Sequence, residues 1–460
     1  MDKGQKVKRF KIPTIIKTFS FDKFVPWTRI DGDEHTLYAA DSRNCDCIDG
    51  TIKMGATTQI YRNDAGVVKY PIEASKVDRF FYTYKREIGG DYTPILGLMS
   101  KSGRYYYLPK NSVNFIQQAA VVKGDFYDMA PYFDSDRELY MLLFGENGVT
   151  SVQANMYEGS SVGDRFECGC VLDDRAYGVV EHNAIWYSAP LDVLNFDSNL
   201  HDGGRLYAQC DKGKTVALKP LGKKLYLFYE YGIVEIETAG SGTNFKMKKI
   251  SYAGGKIMSG CVGECMGKLY FFALDGVYAL DHNGVEKKFK KLQLKGADTE
   301  QKGSFAIYNG GFFLRYYDEV GAWKTIFLEP AWDSGYKTMD MPAVSALDGE
   351  VFYADARTIQ RVVANGSMPS GERAFFLSEA LLFGTTEMKL LKSLRFTGRG
   401  GFLVRIFNGK EWNLYRQLFS DGVASIEPKL SGREFKIEIA PDKGSMISTV
   451  SGEIECVRRG

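Results

Sequence analysis

The sequence predicts an all-β protein, a β-propeller of six or seven blades followed by a small antiparallel β-sandwich. Three observations lead there. Short runs of aromatic and β-branched residues recur around glycine turns, the local pattern of a hairpin. One aromatic in each run returns at a spacing of about forty residues, the length of a four-stranded propeller blade. The composition is rich in Phe (30), Tyr (28) and Gly (49) and holds only 13 Pro, which favours many short strands joined by glycine turns.

The clearest unit is residues 223–236, KKLYLFYEYGIVEI, which reads as two strands about a turn at Glu230–Gly232. Residues 267–280, GKLYFFALDGVYAL, repeat it, with the same six-residue step from Tyr226 to Gly232 and from Tyr270 to Gly276. A lone hairpin is marginal in water, so a repeated one must lean on its neighbours. Candidate strand cores are 77–84, 104–108, 139–144, 184–187, 225–229, 269–273, 311–315 and 350–353. With Tyr140, Trp186, Tyr226, Tyr270, Phe313 and Phe352 as one marker per unit, the steps are 46, 40, 44, 43 and 39 residues. A helical solenoid shares that period but needs amphipathic helices of ten or more residues, and no strong one lies between the markers. Residues 60–365 are therefore assigned to the propeller, with its ring closed by pairing N-terminal and C-terminal strands.

Residues 1–59 are read as an N-terminal arm and ring-closing segment, anchored at Trp27, Tyr38 and Ile48. Its first part holds Lys3, Lys6, Lys8, Arg9, Lys11 and Lys17 against the single acid Asp2. Such a run suits a solvated arm, or one that reaches a neighbouring subunit or a phosphate backbone. After the turn-rich break at 366–372, residues 373–460 change texture. Leu394/Phe396, Phe402/Val404/Ile406 and Phe435/Ile437/Ile439 alternate with polar residues at period two, which predicts a separate sandwich domain with one apolar face per strand.

Charge and cysteine content narrow the function classes. The formal net charge is +2 and the pI about 7.9, so composition alone predicts no strong grip on nucleic acid. No apolar run approaches membrane-spanning length, and the N-terminus has no secretory pattern, so no membrane insertion is expected. Eight cysteines in 460 residues fall far below a disulfide scaffold and fit a reducing compartment.

The chemistry-bearing residues form no recognised catalytic pattern. His35, His182, His201 and His282 are scattered, and His182 reads as a turn residue before it reads as a base. Cys168/Cys170 and Cys261/Cys265 lack the spacing of zinc knuckles and read as buried small hydrophobes. Neither a nucleophile elbow nor a phosphate-cradling loop occurs. Asp192, Asp275 and Asp348 are the candidates if the propeller cleaves glycans, but two of them precede a glycine in a hairpin turn. The run Asp197–Asp202 lacks the pattern of a calcium loop. No cofactor and no metal site is expected. Partner contacts are expected at Lys6, Lys8, Arg9 and Lys11, and on a lysine-rich strand after residue 285 at Lys287, Lys288, Lys290 and Lys291. As a strand this run puts Lys287, Phe289 and Lys291 on one face; it is either a lysine-blunted solvated edge or a face toward DNA or an acidic subunit.

Residues 175–196 carry a resemblance. Trp186, Tyr187 and Ser188 end a strand and are followed by Asp192 and Phe196, a step that resembles one common in bacteriophage tail proteins. The next unit, with residues 218–221 leading into 225–230 and Gly232, is similar to the blade that follows there. The resemblance is to the tail hub or nozzle proteins of short-tailed phages, also called packaged-DNA stabilisation proteins. It spans about residues 170–280 and is architectural elsewhere.

The resemblance implies a structural, non-enzymatic virion protein, made in the host cytoplasm and located in the tail. It implies a homo-oligomeric ring, hexameric in the family, that contacts portal or adaptor and distal tail proteins. Double-stranded DNA would pass it transiently. The competing expectation is a carbohydrate-binding or glycan-cleaving propeller; a cellular scaffold propeller is weaker because no WD-type or kelch-type signature occurs.

Overall fold

Residues 223–236 fold as the two middle strands of a four-stranded antiparallel sheet. Lys224–Tyr229 pairs with Gly232–Ala239 so that Tyr229 faces Gly232 and only two residues make the turn. Leu225, Leu227 and Tyr229 join one apolar cluster, whereas Tyr226 and Phe228 join the next. Both faces of the strand are therefore covered by neighbouring sheets. That explains a near-continuous apolar run where a half-exposed strand would alternate.

The computed structural model describes all residues except 1–13, 28–32, 88, 119–123, 198–202, 209–210, 240–243, 291, 293–296, 365, 369–371 and 458–460. The chain forms two compact units, one of residues 58–334 and 339–366, the other of 1–57, 335–338 and 367–460.

The first unit is the propeller, and it has seven blades among the described residues. Blade one holds Val77–Arg86, Tyr92–Ser100, Tyr105–Tyr107 and Ile116–Gln117, and blade two holds Phe126–Phe133, Leu139–Gly145, Gly148–Gln153 and Met156–Gly159. These two are joined edge to edge by the single pair Leu139–Tyr84. Blades three to six begin at Cys168–Leu172, Thr215–Leu221, Ile257–Cys265 and Ser304–Tyr308, each followed by three antiparallel strands. Blade seven takes Ser345–Leu347, Glu350–Asp355 and Thr358–Val363, and its outer strand is Thr57–Ile60 from the other end of the chain. From blade two to blade seven the first strands of successive blades pack side by side, blade seven meets blade one to close the ring, and Val77–Arg86 of blade one lies against Leu139–Gly145 of blade two.

All eight predicted strand cores coincide with strands, because each is a middle or inner strand with two apolar faces. Five of the six marker aromatics lie on second strands; Trp186 lies on the third strand of blade three, Ala184–Tyr187. The second strand there is Arg175–Val180, and its Gly178 has no room for a side chain: a Cβ would stand 2.3 Å from the Phe166 ring. Phe144 and Phe166 occupy that space; the large aromatic of this second strand is the buried Tyr177, with Trp186 on the strand after it.

The second unit corrects the expected role of residues 1–59. Only Thr57–Ile60 serves ring closure; the described residues before it belong with the C-terminal strands. Thr14–Phe21 pairs along its length with Met446–Val457, and Thr36–Arg43 pairs with Phe375–Ser378. Phe21, Phe24, Leu37 and Ile52 are buried in one core with Phe396, Phe402, Ile439 and Val450. An alternating strand exposes its need for a sheet but not which sheet supplies it.

The predicted sandwich is one hydrogen-bonded sheet of eleven strands around that core, and Lys23–Val25 runs parallel to Thr36–Arg43, a departure from the antiparallel expectation. Its long strand Lys389–Phe407 pairs with Met446–Val457 in its first half and with Lys436–Pro441 in its second. The change of partner falls at Gly398 and Gly400, where the register slips. Gly400 has φ +88°, and a Cβ on Gly398 would lie 1.9 Å from the Met446 carbonyl oxygen. A glycine bulge is the device that lets one strand serve both halves.

Candidate functional site

The inner strands of the seven blades surround a central cavity of about 590 Å³. Inner strands are expected to be apolar, and Phe80, Phe81, Val262 and Phe305 meet that expectation on the cavity wall. Against them stand five charged side chains: Asp78 and Arg79 from blade one, Asp128 from blade two, Lys219 from blade four, and Lys302 just before the inner strand of blade six.

These groups interlock. Arg79 Nε donates to Asp78 Oδ2 at 2.7 Å, and its Nη1 lies 3.8 Å from Asp128. Lys219 Nζ donates to Asp128 Oδ2 at 3.3 Å. Lys302 Nζ donates to the Tyr127 carbonyl at 2.5 Å and lies 3.8 Å from Asp78. Arg79 and Lys302 also both lie against the Phe126 ring, at 5.7 and 5.4 Å from its centre.

Burial pushes the Asp128 carboxyl up, but Lys219, Arg79 and Lys302 overcome it and hold the group below the usual carboxylate range. Burial likewise raises Asp78, and Lys302 with Arg79 brings it below that range. For Lys302, burial dominates and pulls the ammonium below its ordinary value, with Arg79 and Lys219 adding repulsion. Both carboxylates are thus kept ionised.

The structure places the predicted contact residues elsewhere. Lys6, Lys8, Arg9, Lys11 and Lys291 lie outside the described residues. Lys287 and Lys288 are on Gly284–Lys288, the outer strand of blade five. Lys287 pairs with Asp275 at 3.5 Å and lies over the Tyr278 ring, whereas Lys288 pairs with Glu286 at 2.6 Å. The strand stops there: Phe289 is buried with φ +51° and donates its N–H to Asp333 Oδ1. The expected strand face of Lys287 and Phe289 is therefore interrupted, since the strand ends at Lys288 and Phe289 is buried in the turn beyond it. Lys290 is exposed in the turn that follows.

Of the residues of the resembling step, Ser188 and Phe196 are internal supports, Trp186 and Tyr187 are half-buried and Asp192 is exposed. Ser188 is fully buried, accepts the Ala176 N–H and donates to the Ala189 carbonyl. Phe196 is fully buried against Phe166, while Arg205 lies over Trp186. Asp275 accepts from Tyr278 and the Gly255 N–H, and Tyr84 bonds Asp348. Asp192 sits in the turn after Ala189. None of the three lines the cavity.

His182 is at a hairpin turn with φ +63°, its Nδ1 2.7 Å from Glu167. Burial pushes the Cys170 and Cys261 thiols up to about 12. No group of three or more His, Cys, Asp or Glu residues is placed to hold a metal ion among the described residues, and none of their helices is long and apolar enough to cross a membrane. His201 and most of Asp197–Asp202 lie outside the described residues.

Sequence reasoning missed the five-residue cluster because its members are scattered from 78 to 302. The available signal was a charge on or beside the first strand of a blade, where apolar residues are the norm.

Fold and cavity define a seven-bladed β-propeller with an ion-paired centre, joined to a second all-β unit. No family model and no curated protein matches the chain. Among solved structures it is similar to a fungal alcohol oxidase in complex with copper, with 11% identity, 83% of this chain and 91% of that one covered, and a TM-score of 0.42. It is also similar to the extracellular domain of a one-component system protein of B. thetaiotaomicron, with 10% identity, 88% and 62% covered, and a TM-score of 0.44. The chain thus spans less than two thirds of that second protein.

Proposed function

We infer that the protein is a structural virion subunit, a tail hub or nozzle component of a short-tailed phage. It acts as a homo-oligomeric ring, hexameric by resemblance, on the tail axis. There it links the portal or adaptor end to distal parts and helps to retain packaged DNA, without enzymatic chemistry. The tail assignment rests on residues 170–280.

The observation that carries self-assembly is an open sheet edge. Trp412–Ile426, fifteen residues long, pairs on one side only, with Lys389–Phe407, among the described residues. It turns Leu414 (65% exposed) and Leu418 (68%) to solvent, with one Arg and one Asp along its whole length. An edge that long and apolar is a template for another strand, and soluble monomers normally blunt it with lysine or proline. Thr14–Phe21, which among the described residues pairs only with Met446–Val457, is a second open edge of the same sheet and presents Ile15 and Ile16. Two unlike edges that join head to tail give a heterologous contact, the kind that closes rings. The glycan-cleaving alternative finds no support in Asp78 and Asp128, both kept ionised.

The mass in solution and the position in intact particles test this reading. A strict monomer absent from virions would end it. The double variant Leu414→Lys/Leu418→Lys is expected to turn the ring into monomers in light scattering. Its thermal stability should change by less than ~1 kcal/mol, because both side chains are exposed.

A further inference from the structure

We propose that the central cavity of the propeller is a binding site for one oxyanion, the phosphate or carboxylate group of a small molecule, held among Arg79, Lys219 and Lys302. The inference is independent of the tail-subunit reading.

The argument is a charge count. Three cations meet two carboxylates in the cluster, and each carboxylate is already shared: Asp78 between Arg79 and Lys302, Asp128 between Lys219 and Arg79. Within the cluster one positive charge is left over. Of the other acids on the wall, Glu167 is turned to His182, its Oε2 2.7 Å from Nδ1, and Glu264 is the exposed residue of its strand, so the three cations pair with Asp78 and Asp128. The side chains of all three cations are a quarter to a third exposed, so a charged group entering the cavity can reach them, and the unbalanced cation favours an anion there. Lys302 is the most loosely paired of the three: its Nζ lies 3.8 Å from Asp78 and donates to the Tyr127 carbonyl, whereas Arg79 and Lys219 hold a carboxylate at 2.7 and 3.3 Å.

The room matches the charge. At about 590 Å³ the cavity lies within the usual range of small-molecule sites, roughly 300–1,000 Å³, and exceeds what a bare ion needs. Phe81, Val262 and Phe305 offer an apolar wall for the body of such a molecule while the cations hold its charged end. Arg79 suits this task, since a guanidinium presents a planar fork of donors to two oxygens.

The test titrates the full-length protein by calorimetry with inorganic phosphate and, separately, with succinate, each against chloride at matched ionic strength. One saturable site for phosphate or succinate is expected, and the tighter of the two identifies the class of head group. Lys302→Met and Lys219→Met should each weaken binding tenfold or more, and Lys287→Met, on an outer strand, should leave it unchanged. Lys302→Met removes the surplus charge, so it is expected to fold; if it does not, Lys219→Met carries the comparison. A crystal soaked in selenate gives a second reading, with anomalous density expected in the cavity. Binding unaltered by both cavity variants, chloride as effective as phosphate, or selenate only at surface lysines would each overturn the proposal.

Discussion

Replacing Asp128 with Ala lowers the stability of the propeller by about 3 kcal/mol, an expected loss at the low end for a broken buried pair because its partners keep some contact with water. Asp128 is 8% exposed and lies between Lys219 and Arg79, so its removal strands Lys219 and takes one of two carboxylates from Arg79. Arg79 keeps Asp78 at 2.7 Å, but Lys219 keeps none of its ion pairs among the described residues. A second change, Lys219→Met, should therefore recover part of the loss by removing the stranded charge. Urea unfolding of the single and double variants measures both effects. A loss under 0.5 kcal/mol for Asp128→Ala, in the range of ordinary surface changes, would show that the cluster does not hold the inner strands together.

The same pair sets the acid limit. Both carboxyls lie below their ordinary value in the folded chain, so the unfolded chain binds protons more readily. Their contribution is complete above about pH 4, the unfolded value, and is lost as pH falls through the lower folded values. Wild type should lose stability steeply below pH 4, and Asp128→Asn should show a shallower slope there.

Replacing Gly398 with Ala destabilises the second unit by about 3 kcal/mol or more, at the severe end of overpacking. The added Cβ would stand 1.9 Å from the Met446 carbonyl oxygen and 3.0 Å from the Ile447 Cα. Both are backbone atoms of a paired strand, so no rotamer change relieves the contact. Shifting that strand breaks the pairing of Lys389–Phe407 with Met446–Val457 and uncovers Phe396, Val450 and Ile454. The propeller has apolar clusters of its own and should survive. Limited proteolysis is expected to remove residues beyond about 367 while a fragment near 58–366 persists. Equal resistance of variant and wild type would show that the bulge tolerates a side chain.

What could be read in advance differs between the fold and the site for one physical reason, the range of the interaction. The hairpins at 224–239 and 268–281 are local: their turns, their alternation and their aromatic load lie within about fifteen residues. Trp186 shows where local reading slips: the aromatic on the second strand of its blade is Tyr177, beside a Gly178 packed under the Phe144 and Phe166 rings. The lysines at 287 and 288 stand out as a run, yet each is paired with an acid, Lys287 with Asp275 brought near by the hairpin and Lys288 with Glu286 two residues back on its own strand. Conversely Asp78, Asp128, Lys219 and Lys302 are unremarkable one at a time and meaningful only together.

By itself, then, the order of residues determined that this chain forms strands, where most of them lie, and that they come in repeating units which must stack. Those outcomes depend on backbone preference and on apolar side chains that a single hairpin cannot hide. The count of seven blades, the outer strand lent by Thr57–Ile60, the union of 14–57 with the C-terminal strands and the charged centre were decided only by tertiary structure. Each of these joins residues tens to hundreds of positions apart, and no local pattern in either partner names the other.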